Sequence, residues 1–209
     1  MNKLIDRLSQ TCVLPVVTIE AANQAVPLAQ ALLAGGITAI EITLRTPAAL
    51  EGIQQIAKHV PKMFLGAGTV LSAADLQSTA DAGAQFAVSP GATPNLLSAT
   101  SSARIPLLPG VANASDIMLG LEHGLSFFKL FPASTSGGVD ALKSFAGPFG
   151  NIKFCPTGGI NLQNAKSYLS LPNVVCIGGS WIVPLSAIRQ GRWDEIERLA
   201  KEATTALKQ

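Results

Sequence analysis

Residues 39–45 read Ala-Ile-Glu-Ile-Thr-Leu-Arg, and this stretch sets the pattern from which the fold follows. Apolar and polar side chains alternate along it, which predicts a β-strand with one apolar and one polar face. The apolar face would meet helices, and the polar face would point into the centre of the molecule. Similar short apolar runs recur along the chain, and we expect strands at residues 13–17, 39–44, 64–66, 86–89, 106–108, 127–130, 153–156 and 174–177.

Stretches with helical periodicity separate these runs. They cover residues 21–33, 48–58, 73–82, 115–122 and 193–207, and many end near a glycine such as Gly35, Gly83 or Gly124. Eight strands that alternate with helices predict a parallel sheet. We therefore expect one domain over residues 1–209, a (β/α)8 TIM barrel with a short N-terminal helix. An open doubly wound sheet is the alternative. In a barrel, chemistry belongs at the carboxyl ends of the strands.

The composition limits what the chain can bind. Charged residues make up only 13% of the chain, against roughly 25% in an ordinary soluble domain. So little charge indicates either that the chain buries much of its surface or that a subunit interface hides part of it, and we expect a homo-oligomer. The net charge is +2 and the basic residues are scattered, so we expect neither a nucleic-acid nor a membrane partner. No run approaches the roughly 18 apolar residues of a membrane span.

Cysteine and histidine are too few and too dispersed for a redox or metal centre. The three cysteines, Cys12, Cys155 and Cys176, lie in apolar strand-like runs without a CxxC pair, which predicts buried free thiols and a cytoplasmic location. No cluster of His, Asp and Glu has metal-ligand spacing. Neither a phosphate-binding P-loop nor a strand-linked GxGxxG motif occurs. We therefore expect no metal and no cofactor.

Lys129 lies inside the strand-like run Phe127-Phe128-Lys129-Leu130-Phe131-Pro132. The alternation of a strand places Phe127, Lys129 and Phe131 on one face, which is either the interior or the helix layer. Burial among aromatic rings favours a neutral, nucleophilic amine that can attack a ketone and form an imine. A structural lysine, held in a salt bridge or reaching solvent from the strand end, is the alternative.

Glu41 and Arg45 share the polar face of the strand at residues 39–44. They lie about 13 Å apart along the strand, too far for a simple ion pair. Glu41 could move protons deep in the site, while Arg45 near the mouth could hold a carboxylate with two hydrogen bonds. A polar layer with a purely structural role is the alternative.

Glycine-rich segments follow three of the predicted strands. Thr69 ends the segment at residues 66–69, Gly158 and Gly159 follow residues 153–156, and Gly179 and Ser180 follow residues 174–177. Glycines let backbone N–H groups approach an anion, and many barrels bind phosphate with the loops after strands seven and eight. The paired glycines thus predict a phosphate site, although a single pair is more often a tight turn. We expect Ser180 to supply a hydroxyl and a short helix to begin at Trp181.

Several of these segments together resemble the 2-keto-3-deoxy-6-phosphogluconate (KDPG)/4-hydroxy-2-oxoglutarate aldolase family. The likeness extends in order through nearly the whole chain. It is carried by residues 41–46, 66–70, 89–91, 128–133, 154–160 and 177–181.

The resemblance implies a role for each site residue. Lys129 falls at the Schiff-base lysine and Glu41 at the general acid/base, while Arg45 and Thr69 fall where the family holds the pyruvate carboxylate. The same comparison implies a phosphate site at Gly158, Gly159, Gly179 and Ser180, and a substrate pocket lined by Thr157, Pro90 and Phe131.

The resemblance also implies the reaction, a metal-free cleavage of KDPG to pyruvate and glyceraldehyde 3-phosphate in a homotrimer. Cleavage of 4-hydroxy-2-oxoglutarate to pyruvate and glyoxylate is expected as well. Thr157 favours the gluconate-type substrate, because the related galactonate aldolases carry an apolar residue there. Ser134 departs from the glutamate of some members. A galactonate aldolase, a phosphosugar isomerase or epimerase, and a non-catalytic sugar-phosphate binding protein are the alternatives.

Overall fold

The computed structural model describes residues 2–207 and shows an α/β fold built on short parallel strands. These strands are two to five residues long, so each contributes one to three side chains to each face of the sheet. The strands are β1 (Val13–Val17), β2 (Ala39–Thr43), β3 (Phe64–Gly68), β4 (Phe86–Val88), β5 (Leu107–Leu108), β6 (Gly110–Val111), β7 (Phe127–Leu130), β8 (Lys153–Phe154) and β9 (Ile177–Gly179).

Helices separate most of the strands, and residues 2–207 both begin and end with one. A single 3-10 turn at Ala22–Gln24 leads directly into the second helix. The helices are α1 (Asn2–Leu8), α2 (Ala25–Ala34), α3 (Ala49–His59), α4 (Ala73–Asp81), α5 (Pro94–Ala99), α6 (Ala114–Glu122), α7 (Gly138–Ala146), α8 (Ala165–Leu169), α9 (Leu185–Arg189) and α10 (Trp193–Leu207).

The strands pair in parallel throughout and form a curled sheet, a half-barrel. Within residues 2–207 the strand order is β5-β4-β3-β2-β1-β9, with a second sheet in the order β6-β7-β8. Only Pro109 separates β5 from β6, so the two sheets follow each other directly along the chain. Parallel bridges also join Phe154 to Val174 and Thr157 to Gly178, next to β8 and β9. The predicted parallel α/β fold is confirmed.

The two faces of the strands pack into different clusters, as the alternation in the sequence predicts. In β2, Ile40 and Ile42 join the large cluster between strands and helices, whereas Ala39 joins a smaller cluster on the concave side. That smaller cluster also contains Leu4 and Leu8 of α1, so the N-terminal helix covers one end of the concave core. The expected short N-terminal helix is thereby confirmed.

Several predicted boundaries were wrong, and backbone chemistry explains one of them. The run at residues 106–108 continues past Pro109 as two short strands, because proline has no N–H to donate to a ladder. The strand predicted at residues 174–177 begins only at Ile177, with Val174 held by one bridge. The sequence analysis also missed α5, α8 and α9, which have only five or six residues and show no clear period, and α7, which begins in the glycine pair at residues 137–138.

Glycines end several helices. Gly83 and Gly124 have φ values of +96° and +73° just after α4 and α6, which suits a left-handed helix end. After α2 it is Gly36, with φ of +86°, that takes this conformation instead of Gly35. Gly35 is the C-cap of α2, as the sequence predicts, and the left-handed residue follows it.

The cysteines are free thiols in the part of the chain that the structure describes. Cys155 and Cys176 are buried on the concave side with their sulfur atoms 3.5 Å apart, and Cys12 is half-buried. The hydrogen bond with Cys155, together with burial, raises the pKa of the Cys176 thiol well above its ordinary value. A thiol with so high a pKa is unreactive, which fits a packing role. Between residues 2 and 207, no helix combines the length and the apolar character needed to cross a membrane.

Candidate active site

The concave side of the sheet brings together Glu41 of β2 and Lys129 of β7. Lys129 Nζ lies 3.6 Å from Glu41 Oε1. Both residues are almost fully buried, with exposures of 4% and 1%. The interior placement of Lys129, which the sequence left open, follows from this contact, because Glu41 faces away from the helix layer. A buried carboxylate and amine this close form a single electrostatic unit.

The Glu41 carboxylate is only partly satisfied. Its Oε1 atom is buried and lacks a hydrogen-bond partner among residues 2–207. A buried polar atom without a partner is uncommon and marks a place where a ligand or a reacting group would be accommodated. The atom is thus both close to the amine and free to bond to another group.

Space for that carboxylate is provided by Gly68 at the end of β3. A Cβ atom at this position would lie 2.0 Å from Glu41 Oε1. The register of β2 and β3 pairs Thr43 with Gly68 and Glu41 with Gly66, so the Glu41 side chain leans along the strand toward the carboxyl end. The glycine therefore has a steric function.

The aromatic side chain nearest the amine belongs to Phe131, just after β7. Lys129 Nζ lies 4.8 Å from the centre of its ring. Pro90, predicted to lie on the wall, is half-buried after β4, and a Cβ on Gly110 would lie only 2.2 Å from its carbonyl oxygen. Since Gly110 pairs with Lys129 in the sheet, Pro90 is one strand away from the amine.

Arg45 and Thr69 meet at the carboxyl ends of β2 and β3. Arg45 Nε donates a hydrogen bond of 3.3 Å to Thr69 Oγ1. Thr69 has a φ of +59°, which is a strained, left-handed conformation for a β-branched residue. Strain of this kind persists where surrounding structure enforces it, often at a ligand site. No pattern in the sequence predicts this conformation.

A cavity of about 530 Å³ opens beside Arg45 and Phe131. Its size suits a small-molecule ligand. The predicted phosphate residues and Thr157 all contribute to its wall. Its further lining includes Val16, Thr18, Thr157, Gly158, Gly159, Ile160, Gly178, Gly179, Ser180, Val183, Pro184 and Leu185. A second cavity, of about 920 Å³ between α1, α8 and the end of α10, contains none of the predicted site residues.

Glycine geometry shapes the wall at the end of β8. Gly158 and Gly159 have φ values of +103° and +73°, so the turn requires glycine at both positions. Gly158 O accepts a hydrogen bond of 3.1 Å from the Ser134 N–H, which ties this turn to the loop after β7. A Cβ on Gly178 would lie 2.1 Å from Thr157 Oγ1, so that glycine leaves room for the buried threonine.

Ser180 lies in the cavity wall, but the helix expected to begin at Trp181 does not form there. A turn spans residues 180–183, closed by a hydrogen bond of 3.1 Å from Val183 N to Ser180 O, and α9 begins only at Leu185. Pro184 precedes that helix and lacks the N–H that an earlier start would use. The helix dipole expected at Ser180 is therefore lacking.

Thr18 is a residue of the cavity that the sequence analysis missed. It directly follows β1 and lines the cavity, and its Oγ1 atom lies 2.9 Å from Thr43 Oγ1. The available signal was a hydroxyl residue at the carboxyl end of a predicted strand, the position where barrels place their chemistry.

Among residues 2–207, there is no group of three or more His, Cys, Asp or Glu side chains arranged to hold a metal ion. The chemical groups at this site are instead an amine, a carboxylate, a guanidinium and a rim of backbone and hydroxyl groups. An amine beside a proton carrier can form and hydrolyse imines. A guanidinium and a glycine-rich rim can bind a substrate with an anion at each end.

Known proteins resemble this chain in sequence and fold. Residues 4–199 match the family model described as "KDPG and KHG aldolase". A 2-dehydro-3-deoxy-phosphogluconate aldolase from Dickeya dadantii is 52% identical over 191 residues, covering 91% of this chain and 90% of its own.

Solved structures give the same result. The KDPG aldolase of Legionella pneumophila, with pyruvate captured at low pH as a covalent carbinolamine intermediate, superposes with a TM-score of 0.92 at 46% identity, covering 94% of this chain and 95% of its own. The enzyme of Zymomonas mobilis ZM4 with 3-phosphoglycerate has a TM-score of 0.90 at 47% identity, covering 98% and 96%. Fold and relatives together define a carbon–carbon lyase of the aldolase type. The chain belongs to the KDPG and KHG aldolase family.

Proposed function

We propose that this protein is a class I aldolase that cleaves KDPG to pyruvate and glyceraldehyde 3-phosphate. The observation that carries the proposal is the buried pair of Lys129 Nζ and Glu41 Oε1, 3.6 Å apart, with that carboxylate oxygen lacking another partner among residues 2–207. Relatives that are named KDPG aldolase, at 52% and 47% identity to this chain, support this choice of substrate.

Lys129 is the Schiff-base residue in this proposal. Its amine attacks the C2 ketone, and the resulting carbinolamine loses water to give a protonated imine. Glu41 donates and accepts the protons of that step from its position beside the amine. The covalent pyruvate carbinolamine in the Legionella pneumophila enzyme supports an imine route for this family.

The bond cleavage then follows from the imine. Glu41 takes the proton of the C4 hydroxyl, the C3–C4 bond breaks, and its electron pair flows into the imine to form an enamine. The aldehyde formed at C4 leaves as glyceraldehyde 3-phosphate. The enamine takes a proton at C3, and water hydrolyses the imine to release pyruvate and restore the amine. The imine is the electron sink, so the reaction as proposed uses neither a cofactor nor a metal.

Two anion sites position the substrate for this cleavage. Arg45 and Thr69, hydrogen-bonded to each other, hold the C1 carboxylate. The backbone of Gly158, Gly159 and Gly179, with the Ser180 hydroxyl, holds the phosphate at the far side of the same cavity. Remote binding of the phosphate orients the scissile bond over the amine. Thr157, Pro90 and Phe131 form the wall of the substrate pocket.

We also propose that the strands close into a single (β/α)8 domain over the chain. The bridges from Phe154 to Val174 and from Thr157 to Gly178 support closure between β8 and β9. The direct succession of β5 and β6 across Pro109 supports closure on the other side, because β5 pairs with β4 and β6 pairs with β7. Counting β5 and β6 as one interrupted strand gives eight strands within residues 2–207.

The assembly and location that we propose are a cytoplasmic homotrimer with a small phosphorylated keto acid as its ligand. The low charge content supports a subunit interface, and exposed apolar side chains at Leu71 and Met118, 60% and 56% accessible, provide surface for one. Free thiols at Cys155 and Cys176 support a reducing compartment.

Borohydride reduction in the presence of pyruvate tests the imine. We expect one reduced pyruvate adduct per chain, attached to Lys129 and located by peptide mass spectrometry. Lys129→Met is the negative control, and the exposed Lys201 should stay unmodified. An unlabelled Lys129 in a chain that still releases pyruvate from KDPG would disprove the imine mechanism.

Substrate preference is tested by comparing kcat/KM for three substrates. We expect KDPG to exceed 4-hydroxy-2-oxoglutarate, because only the former can use the glycine-rich phosphate site for binding energy. The threonine at position 157, where the family resemblance implies an apolar residue in galactonate aldolases, favours KDPG over its galactonate epimer. A higher kcat/KM for the epimer would assign the chain to the galactonate branch.

A further inference from the structure

Thr18 lies between the two anion sites of the proposed substrate. It follows β1, which pairs with β2 on one side through Val17 and Ile42, and with β9 on the other through Pro15 and Gly179. Arg45 follows β2, and Ser180 follows β9. Thr18 therefore lies between the guanidinium and the glycine-rich rim, against the middle of any ligand that spans them.

The hydroxyl proton of Thr18 is directed away from the cavity. Thr43, fully buried on the concave face, has a single hydroxyl proton, and its Oγ1 lies 2.8 Å from Val17 O, which can only accept. Thr43 therefore donates to Val17 O. The contact of 2.9 Å between the two threonine hydroxyls must then be donated by Thr18.

With its proton used by Thr43, the Thr18 oxygen offers only lone pairs to the cavity. A carboxylate or a phosphate dianion also offers only lone pairs, so neither is bound by this oxygen. A hydroxyl group of the ligand is the matching partner, because it can donate. The buried threonine pair thus determines which chemical group the middle of the cavity accepts.

We propose that Thr18 is a specificity residue that accepts a hydrogen bond from the C5 hydroxyl of KDPG. This inference rests on the proposed aldolase function. The C4 hydroxyl gives its proton to Glu41 during cleavage, whereas the C5 hydroxyl lies between C4 and the phosphorylated C6, where Thr18 faces the ligand. 4-Hydroxy-2-oxoglutarate has no C5 hydroxyl, so Thr18 also favours binding of KDPG over 4-hydroxy-2-oxoglutarate.

Aldehyde selectivity in the condensation direction tests this role. Pyruvate is combined either with D-glyceraldehyde 3-phosphate or with 3-phosphooxypropanal, which lacks only the hydroxyl in question. The ratio of the two kcat/KM values should fall by about fivefold to tenfold in Thr18→Val, the range expected for a lost neutral hydrogen bond. Thr18→Ser keeps the accepting oxygen and should retain most of the selectivity. Thr205→Val, on the exposed side of α10, is the matched control and should leave the ratio unchanged.

Two outcomes overturn the assignment. If Thr18→Val lowers kcat/KM by the same factor for both aldehydes, Thr18 shapes the cavity without recognising the hydroxyl. If Thr18→Ser loses selectivity as fully as Thr18→Val, the accepting oxygen is not the determinant.

Failure of the underlying aldolase function has a different signature, read in the unsubstituted protein. There the methyl protons of pyruvate should exchange with deuterated solvent through the enamine. Lack of exchange would overturn the aldolase proposal and this inference together. If exchange is normal and the Thr18 variants give either of the two contradicting outcomes above, the Thr18 assignment is wrong while the aldolase proposal stands.

Discussion

Glu41→Gln should lower kcat for KDPG cleavage by about a thousandfold while the fold is kept. The amide has nearly the same shape as the carboxylate but cannot take or return a proton, and general acid–base catalysis contributes about 10²- to 10⁴-fold. The loss should appear in kcat, because Glu41 lies beside the reacting amine and away from the glycine-rich rim that holds the phosphate. Steady-state kinetics with coupled detection of pyruvate measures both constants.

The matched control is Glu51→Gln, which makes the same chemical change on the exposed side of α3. It should leave kcat within twofold of the parent. Circular dichroism and thermal melting of both variants separate loss of chemistry from loss of fold. Turnover of Glu41→Gln within tenfold of the parent would remove the acid–base assignment.

Gly68→Ala should lower kcat/KM by about a hundredfold, although it adds only one methyl group. The new Cβ would lie 2.0 Å from Glu41 Oε1 and 2.6 Å from Glu41 Cδ, so the carboxylate must move. Misplacement of a reacting group by about 1 Å can cost about 10²-fold in rate. Overpacking of this kind also destabilises by about 1–3 kcal/mol, which should appear as a lower melting temperature.

Gly91→Ala provides the control for this substitution. Within the described residues, a Cβ at Gly91 would have no neighbour inside 4 Å, and neither glycine has a positive φ. The two variants therefore differ in what the methyl group meets and not in backbone strain. Equal activities for Gly68→Ala and Gly91→Ala would show that the Glu41 position is not critical.

Much of this site could be predicted, because the alternation of side chains along a strand determines which face of the sheet each one occupies. Once residues 39–43 form a strand with Ile40 and Ile42 toward the helices, Glu41 must face the other way. For Lys129 the same rule was ambiguous, because phenylalanines flank it on both faces, and only its contact with Glu41 shows that it points inward. The family resemblance supplied roles that alternation alone could not assign.

Other features depend on contacts between distant residues and leave no local pattern. The strained backbone of Thr69 and the proton direction of the Thr18–Thr43 pair come from neighbouring strands. The helix expected at Trp181 was wrong because a turn closed by Ser180 and Val183 precedes Pro184. Short helices such as α8 and α9, five residues each, bury too few side chains to give a readable period.

The N-terminal helix has a consequence for how the enzyme could change. Leu4 and Leu8 pack with Phe64, Phe86 and Phe127, so β2 and β7 begin in an apolar layer and continue into a polar one. In β2 and β7, Ala39 and Glu41, or Phe127 and Lys129, are only two positions apart, about 7 Å along the strand. The residues that stabilise the core and the residues proposed to carry out the reaction therefore occupy successive inward-facing positions of the same strands. Substitutions in the polar layer can therefore change which substrate is bound, while the apolar layer keeps the protein folded.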